Sequence, residues 1–445
     1  MIAPLTLGCL TAALALAAQV SAQPCEPGWD VGIGNPGLSS GALAFLPHDL
    51  GTGDRMLVGG FFLEPYSALA AWDGQGWSTF GSPAFIGDVF DIKLYDDGNG
   101  EKLYILGNLY IGGNKNWHVA RLDEGNQWTF LDNGDPANGV SEMIVWDDGT
   151  GPGLYVTGDF VTLDGVTTHN DIARWDGTNW TPLNNGLNFS GTQIGLTFEV
   201  YDDGNGEKLY LGGTFNRVDG QHIDYLAAWD GQEWSEPWSG TGPNDSVKDL
   251  CVYDDGNGPA LYAVGCFEVA SGELVSYVAK YDGTGWYDLD GGTVSPGCLN
   301  ACGVYDEGDG PNLFVSGSLN DASGKPMKKI ARWDGAEWHS PDGGITSGQG
   351  AFAMLGLPPD SPFGSTMFVG GAFTGVGGQA SNYIAEYRGC HCRPDLNNDG
   401  TVNTQDFLTF LNLWVARDPI ADWNTDGTIN TQDFLAYLNE WVAGC

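Results

Sequence analysis

The sequence predicts an all-β fold, a seven-bladed β-propeller, with a small α-helical domain behind it. Three observations lead there. A unit with a period of 50 to 54 residues recurs seven times, glycine-rich turn signals punctuate every copy, and the apolar spacing becomes helical only in residues 391–445. With 69 glycines against 17 Lys and Arg in 445 residues, the composition suits a turn-rich β fold better than a helical one.

The first shared segment is LAAWDG at 69–74. It returns as VARLDE at 119–124, IARWDG at 172–177, LAAWDG at 226–231, VAKYDG at 278–283, IARWDG at 330–335 and IAEYRG at 384–389. Upstream of each lies a second segment (LVGGFF, YILGNL, YVTGDF, YLGGTF, YAVGCF, FVSGSL, FVGGAF) with glycine always in fourth place: Gly60, Gly107, Gly158, Gly213, Gly265, Gly317 and Gly371. Each unit reads as four short antiparallel strands. In the fourth, TFEVY leads through DDGNG to KLYLGGTF, and YLAAW turns at Asp-Gly into EWSEP; Asp-Gly favours a tight hairpin because glycine accepts positive φ. Units of this size match propeller blades of kelch rather than WD40 length.

The seventh unit stops at IAEYRGC without the tryptophan strand that the others carry. That strand is found at the other end of the chain. Trp29, in PGWDVGIG, corresponds to Trp77, Trp128, Trp180, Trp234, Trp286 and Trp338. The propeller is therefore expected to span 23–390, closed by its own N-terminal strand and without an open sheet edge. Aligning the closing hairpin on 69–80 puts Cys25 at the place of Asp73 and Cys390 at the place of Gln75, so a Cys25–Cys390 disulfide is expected.

Ahead of the propeller, MIAPLTLGCLTAALALAAQVSAQP carries an apolar run from Leu5 to Val20 and the small residues Ser21 and Ala22. It reads as a signal peptide over 1–22, although its n-region holds no Lys or Arg. No later stretch approaches the roughly 20 apolar residues of a transmembrane segment. The remaining cysteines are Cys25, Cys251, Cys266, Cys298, Cys302, Cys390, Cys392 and Cys445, an even set that favours disulfides outside the cytoplasm. For Cys251, Cys266, Cys298 and Cys302 three connectivities stay open. The net charge of −40 argues against nucleic acid and anionic membrane surfaces as partners.

Within the repeats, structural readings outweigh chemical ones. The tryptophans recur in every unit as packing would require. Arg121, Arg174 and Arg332 share one repeat position and read as matching structural or rim charges. DDGNG and its variants at 96–100, 147–151, 202–206, 254–258 and 306–310 read as acidic hairpin turns rather than complete calcium sites. WDGxxW misses the Asp-box spacing of sialidases by one residue. His118, His169, His222 and His339 fall in variable loops or at strand ends with no ligand spacing. Carboxylate pairs suited to glycoside chemistry stay open among 57 Asp and Glu. The GGxF and IARWDGxxW segments resemble repeats of many bacterial secreted proteins and of a fungal cell-cortex polarity marker, and more distantly kelch repeats. That resemblance covers roughly 24–390 and implies a fold but no single activity.

The tail carries the sharpest motif. DLNNDGTVNTQD at 395–406 and DWNTDGTINTQD at 422–433 lie 27 residues apart, each followed by a helix-like segment, FLTFLNLWV and FLAYLNEWV. Both place oxygen ligands at positions 1, 3, 5, 7, 9 and 12 of an EF-hand-type loop, with glycine at 6. The predicted Ca2+ ligands are Asp395, Asn397, Asp399, Thr401 through its carbonyl, Asn403 and Asp406, then Asp422, Asn424, Asp426, Thr428, Asn430 and Asp433. Phe407, Leu408, Leu411, Trp414, Phe434, Leu435, Leu438 and Trp441 are expected to form a small core, with Cys392 and Cys445 joining the ends of the domain.

Aspartate at position 12 and the lack of a helix before the first loop make this tail resemble a type I dockerin, of the kind in planctomycete-type secreted proteins that end in Gly-Cys, here Gly444-Cys445. The resemblance spans 392–445. It implies a cohesin-contacting surface at Thr404, Gln405, Leu411, Asn412, Thr431, Gln432, Leu438 and Asn439, of which Leu411 and Leu438 depart from the polar residues usual there. The expected protein is a secreted or cell-surface, calcium-binding interaction or scaffold protein. Its propeller would offer a surface to a protein or glycan ligand, and its dockerin-like tail, 391–445, would dock on a cohesin-like or cell-envelope protein. The alternative is a dockerin-borne carbohydrate-active enzyme acting on extracellular polysaccharide.

Overall fold

The computed structural model describes residues 27–49, 53–62, 66, 68–80, 87–111, 114–125, 127–132, 139–187, 194–238, 240–294, 297–359, 361–389, 394, 396, 402–417, 421–423 and 428–443. Residues Gly28–Arg388 form one compact unit, and the tail belongs to another. The first unit is almost entirely β. Among the described residues it holds seven four-stranded antiparallel sheets, two three-stranded ones and one of two strands.

The fourth four-stranded sheet shows how a repeat folds. Gly195–Asp202 pairs with Glu207–Gly213, which pairs with Leu226–Trp229, which pairs with Trp234–Ser235. Its second strand is buried from Leu209 to Gly213, on both faces, because neighbouring sheets pack against each side. The first strands of the seven sheets are Ala42–Asp49, Gly87–Asp96, Gly139–Asp147, Gly195–Asp202, Val247–Asp254, Leu299–Asp306 and Ala351–Leu357. Each neighbours the next in this order, and the last neighbours the first, a propeller-like arrangement around a common axis.

Each first strand carries a β-bulge at the same place, as between Gly195 and Thr197, where the extra residue bends the strand. Opposite the bulge stands the fourth-place glycine. A Cβ on Gly213 would drive into the carbonyl oxygen of Ile194, and the same clash with a paired-strand carbonyl recurs at Gly60, Gly107, Gly158, Gly265, Gly317 and Gly371. Close backbone approach is thus the physical reason for the recurring glycine.

The tryptophans fasten sheet to sheet. Trp180 Nε1 donates to the Leu131 carbonyl of the preceding sheet (2.8 Å), Trp234 to Leu183 (3.3 Å), Trp338 to Leu289 (2.9 Å) and Trp77 to Ile33 (3.0 Å). In the fifth sheet the Tyr281 hydroxyl takes this part, donating to the Pro237 carbonyl at 3.2 Å. The indoles also pack across their hairpins, Trp175 on Trp180 and Trp333 on Trp338 with centroids 5.2 Å apart. The seventh sheet is completed from the other end of the chain: Gly28–Asp30 pairs antiparallel with Ile384–Arg388, Trp29 opposite Tyr387. Trp29 Nε1 then reaches the Pro341 carbonyl of the sixth sheet at 3.4 Å.

The acidic turns are local. Asp96 Oδ1 accepts from the amides of Gly98 and Gly100, and Asp202 Oδ1 from Gly204 and Gly206, as hairpin-turn aspartates do. The following acid pairs with a cation: Asp97 with Arg121 at 2.7 Å, Asp203 with Lys208 at 2.6 Å, Asp148 with Arg174 at 3.5 Å, and Glu307 with Arg332. The repeated arginines therefore sit in ion pairs of separate sheets and do not converge.

The tail contributes two helices, α1 (Thr404–Ala416) and α2 (Thr431–Ala443). Its core differs from the expected one by a residue of helical phase. Leu408 and Leu435 are exposed, whereas Phe410 and Tyr437 are fully buried and stack with ring centroids 3.9 Å apart. The buried stripe runs Phe407, Phe410, Trp414 and Phe434, Tyr437, Trp441, at i, i+3 and i+7, with Trp423 edge-on to Tyr437. The expected bridges Cys25–Cys390 and Cys392–Cys445, and the signal peptide, lie outside the described residues.

Candidate functional site

Two places in the chain gather polar chemistry. The first is a cavity of about 480 Å³ on the axis, walled by the seven first strands. The bulge turns one residue per strand toward the next sheet: Ala44, Asp91, Glu142, Thr197, Asp249, Ala301 and Ala353 hold this position. Where it is acidic, the carboxylate crosses the seam. Asp91 Oδ2 accepts from the Met143 amide (3.0 Å), Glu142 Oε2 from Phe198 (2.9 Å) and Asp249 Oδ2 from Cys302 (2.8 Å). Two residues further along, Lys93 bonds Asp91 at 2.8 Å, and Glu199 Oε1 accepts from the Val200 amide at 2.9 Å.

Burial sets the electrostatics of this wall. It pushes the Glu199 carboxyl up to about 7, with the Val200 amide opposing and the Asp249 charge adding. Burial likewise raises Asp249 to about 6 against the pull of the Cys302 and Leu250 amides. Glu142 stands well above the usual carboxylate range, from burial first and the Asp91 charge second. For Lys93, burial opposes the charge, and Asp91 and Glu142 more than restore it. Burial therefore favours the protonated form of Glu142, Glu199 and Asp249. These carboxylates are also structural, since each accepts a backbone amide that would otherwise lie unpaired.

These acids were readable in the repeats, although only their periodicity marks them. Asp91, Glu142 and Asp249 each stand five residues before the strand-ending Asp96, Asp147 and Asp254. The histidines lie elsewhere. His118 is buried within Asn114–Asp123, not in a loop, and its Nδ1 lies 2.8 Å from Asp132 Oδ1. His169 is fully buried, and His339 pairs with Asp334 at 2.6 Å.

The second place is the tail. Of its expected ligands, Asn403, Asp406, Asp422, Thr428, Asn430 and Asp433 are described, whereas Asp395, Asn397, Asp399, Thr401, Asn424 and Asp426 lie outside the described residues. Among the described residues no group of three or more His, Cys, Asp or Glu is arranged to hold a metal. Asp406 and Asp433 are fully buried, each the third residue of its helix. Asp406 Oδ2 accepts from the Asn403 amide at 2.8 Å, and Asp433 Oδ2 from the Asn430 amide at 2.7 Å. Asn403 and Asn430 each accept through Oδ1 from the amides of Gln405 and Gln432, both at 2.7 Å, and at the first helix a capping box is closed. Their side-chain oxygens are thus engaged, so loop position 9 would reach an ion through water.

The two halves hold each other. Trp414 Nε1 donates to the Asn430 carbonyl at 3.0 Å and Trp441 Nε1 to the Asn403 carbonyl at 2.8 Å, each helix gripping the other's cap.

No protein-family model matches this chain, and no curated protein matches it. Among solved structures it is similar to a catalytically inactive virginiamycin B lyase from Staphylococcus aureus with quinupristin, at 12% identity and a TM-score of 0.45 over 79% of this chain and 96% of that one. It is also similar to the extracellular domain of a one-component system from B. thetaiotaomicron, at 11% identity and a TM-score of 0.28, covering 80% of this chain and 58% of that one. The propeller-like fold rests on the sheets themselves.

Proposed function

We propose that the seven four-stranded sheets are the blades of one closed propeller, and that the protein is an extracellular calcium-binding scaffold. The propeller presents a rigid binding surface to a protein or glycan, and the dockerin-like tail attaches it to a cohesin-like or cell-envelope protein. The observation that carries this reading is the duplicated tail. Twice, a buried aspartate at loop position 12 sits at the third residue of a helix, and the paired tryptophans lock the two copies together. All twelve candidate ligands offer hard oxygen donors, the set that calcium prefers. Bound calcium would offset the mutual repulsion of three aspartates in each loop and so couple metal affinity to folding of the tail. The axial carboxylates Asp91, Glu142, Glu199 and Asp249 each accept a backbone amide, which favours a binding surface over a catalytic one.

Calorimetric titration of the full chain with calcium tests the proposal. Two bound ions are expected, one of them lost in Asp406→Asn and one in Asp433→Asn. No binding at millimolar calcium would overturn the calcium reading, and turnover of a polysaccharide abolished by Glu142→Gln or Glu199→Gln would overturn the scaffold reading.

A further inference from the structure

The four central cysteines resolve into two kinds. Cys266 and Cys298 form a disulfide with Cα atoms 4.4 Å apart, linking the fifth sheet to the strand that opens the sixth. Cys251 and Cys302 are free thiols, both more than nine-tenths buried, and both line the axial cavity. We propose that Cys251 and Cys302 are an oxidation site, a dithiol that closes into a second disulfide across the same seam when a small disulfide reagent enters the cavity.

Register carries the proposal. Counted from the bulge position, Cys251 stands two residues on in the first strand of the fifth sheet, and Cys302 one residue on in that of the sixth. The same offsets join Gly303 to Met354 at the next seam. The neighbouring seam shows how close such positions come: a Cβ on Gly303 would lie 2.9 Å from the Met354 Cβ. A disulfide needs about 3.5–4.5 Å between Cβ atoms, the spacing that the bridge requires of Cys251 and Cys302. The amide of Cys302 is moreover pinned to Asp249 at 2.8 Å, and Asp249 lies two residues from Cys251 on the same face. The two thiols lie in one hydrophobic cluster.

The chemistry balances as thiol–disulfide exchange. One protein thiolate attacks a sulfur of the reagent, expelling one reagent thiolate and leaving a mixed disulfide. The second protein thiolate then attacks the protein-side sulfur and expels the other. Two protein thiols and one reagent disulfide become one protein disulfide and two reagent thiols. Burial, with the charges of Asp249 and Glu199 beside the pair, keeps both thiols protonated at neutral pH, so an uncharged reagent and mildly alkaline conditions suit the reaction.

The test uses the full chain, incubated with 2-hydroxyethyl disulfide. It is then unfolded and labelled with light iodoacetamide, reduced, labelled with heavy iodoacetamide, and each cysteine is read by mass spectrometry. Before oxidation, Cys251 and Cys302 should carry the light label and Cys266 and Cys298 the heavy one; afterwards all four should be heavy. In Cys251→Ser, Cys302 should fail to form an internal bridge and remain as the mixed disulfide or the free thiol, while Cys266 and Cys298 stay bridged. The proposal is overturned if Cys251 and Cys302 stay light after oxidation, or if Cys251→Ser frees Cys266 or Cys298 instead. It is equally overturned if intact mass shows two reagent adducts on the wild type in place of the loss of two hydrogens.

Discussion

Glu199→Gln isolates the cost of keeping a carboxylate in the axial wall. With its carboxyl pushed up to about 7 from an ordinary 4.5, the folded protein holds a proton that the unfolded chain has released. A raised carboxylate contributes stability that is fully present below about 4.5 and is lost as pH rises through about 7. The shift spans about 2.5 units at about 1.4 kcal/mol each, so wild type should lose about 3 kcal/mol from this residue between pH 4.5 and 8.5. Glutamine keeps the oxygen that accepts the Val200 amide and cannot ionise. It should therefore match wild type near pH 4.5 and exceed it by up to about 3 kcal/mol at pH 8.5. Denaturant unfolding followed by tryptophan fluorescence at both pH values reads the difference. Asp249 titrates in both proteins and cancels to first order. A stability gap between variant and wild type that stays constant across the two pH values would refute the argument, because it would mean that Glu199 is already ionised in the fold.

Further outcomes follow from the packing. Gly213→Ala should cost about 1–3 kcal/mol or more, since its methyl meets the Ile194 carbonyl; a melting temperature equal to wild type would contradict the close-approach account. Trp338→Phe, which keeps a ring but drops the bond to Leu289, should cost about 1 kcal/mol of backbone-pairing energy plus lost area, measured by the same unfolding assay. Cys266→Ser with Cys298→Ser opens a loop closed over 32 residues and should lower stability by up to roughly 4 kcal/mol in the chain-entropy model. Trp441→Phe releases the Asn403 carbonyl and should weaken calcium binding at the first loop as well as the second, read by calorimetry on the full chain.

Much of the propeller-like body was legible because its physical demands repeat. The glycine opposite each bulge and the tryptophan donating to the preceding sheet recur wherever the contact recurs, so one chain displays its own alignment. Even the completing strand at Trp29 could be located by what the seventh unit lacked. The axial acids were less visible, since Asp91, Glu142 and Asp249 sit in apolar strands where they resemble ordinary alternation, and their use depends on amides of the next sheet. Cysteine pairing was undecided for a similar reason: sequence separation does not reveal which strand faces which. In the tail, the choice between Leu408 and Phe410 as core turned on helical phase. Two adjacent apolar stripes competed, and the aromatic one won through the stack of Phe410 on Tyr437.

The pairing of Gly28–Asp30 with Ile384–Arg388 bears on how the molecule is made. The strand Gly28–Asp30 waits for a partner made some 350 residues later, roughly 20 to 70 s at ordinary synthesis rates. Six sheets can form from local neighbours in that interval, but the seventh cannot be finished until Ile384–Arg388 has been made. A nascent chain cut ahead of Ile384 would therefore display two open flanks at once, one on the first sheet and one on the last. Closure of the seventh sheet thus waits on the synthesis of Ile384–Arg388.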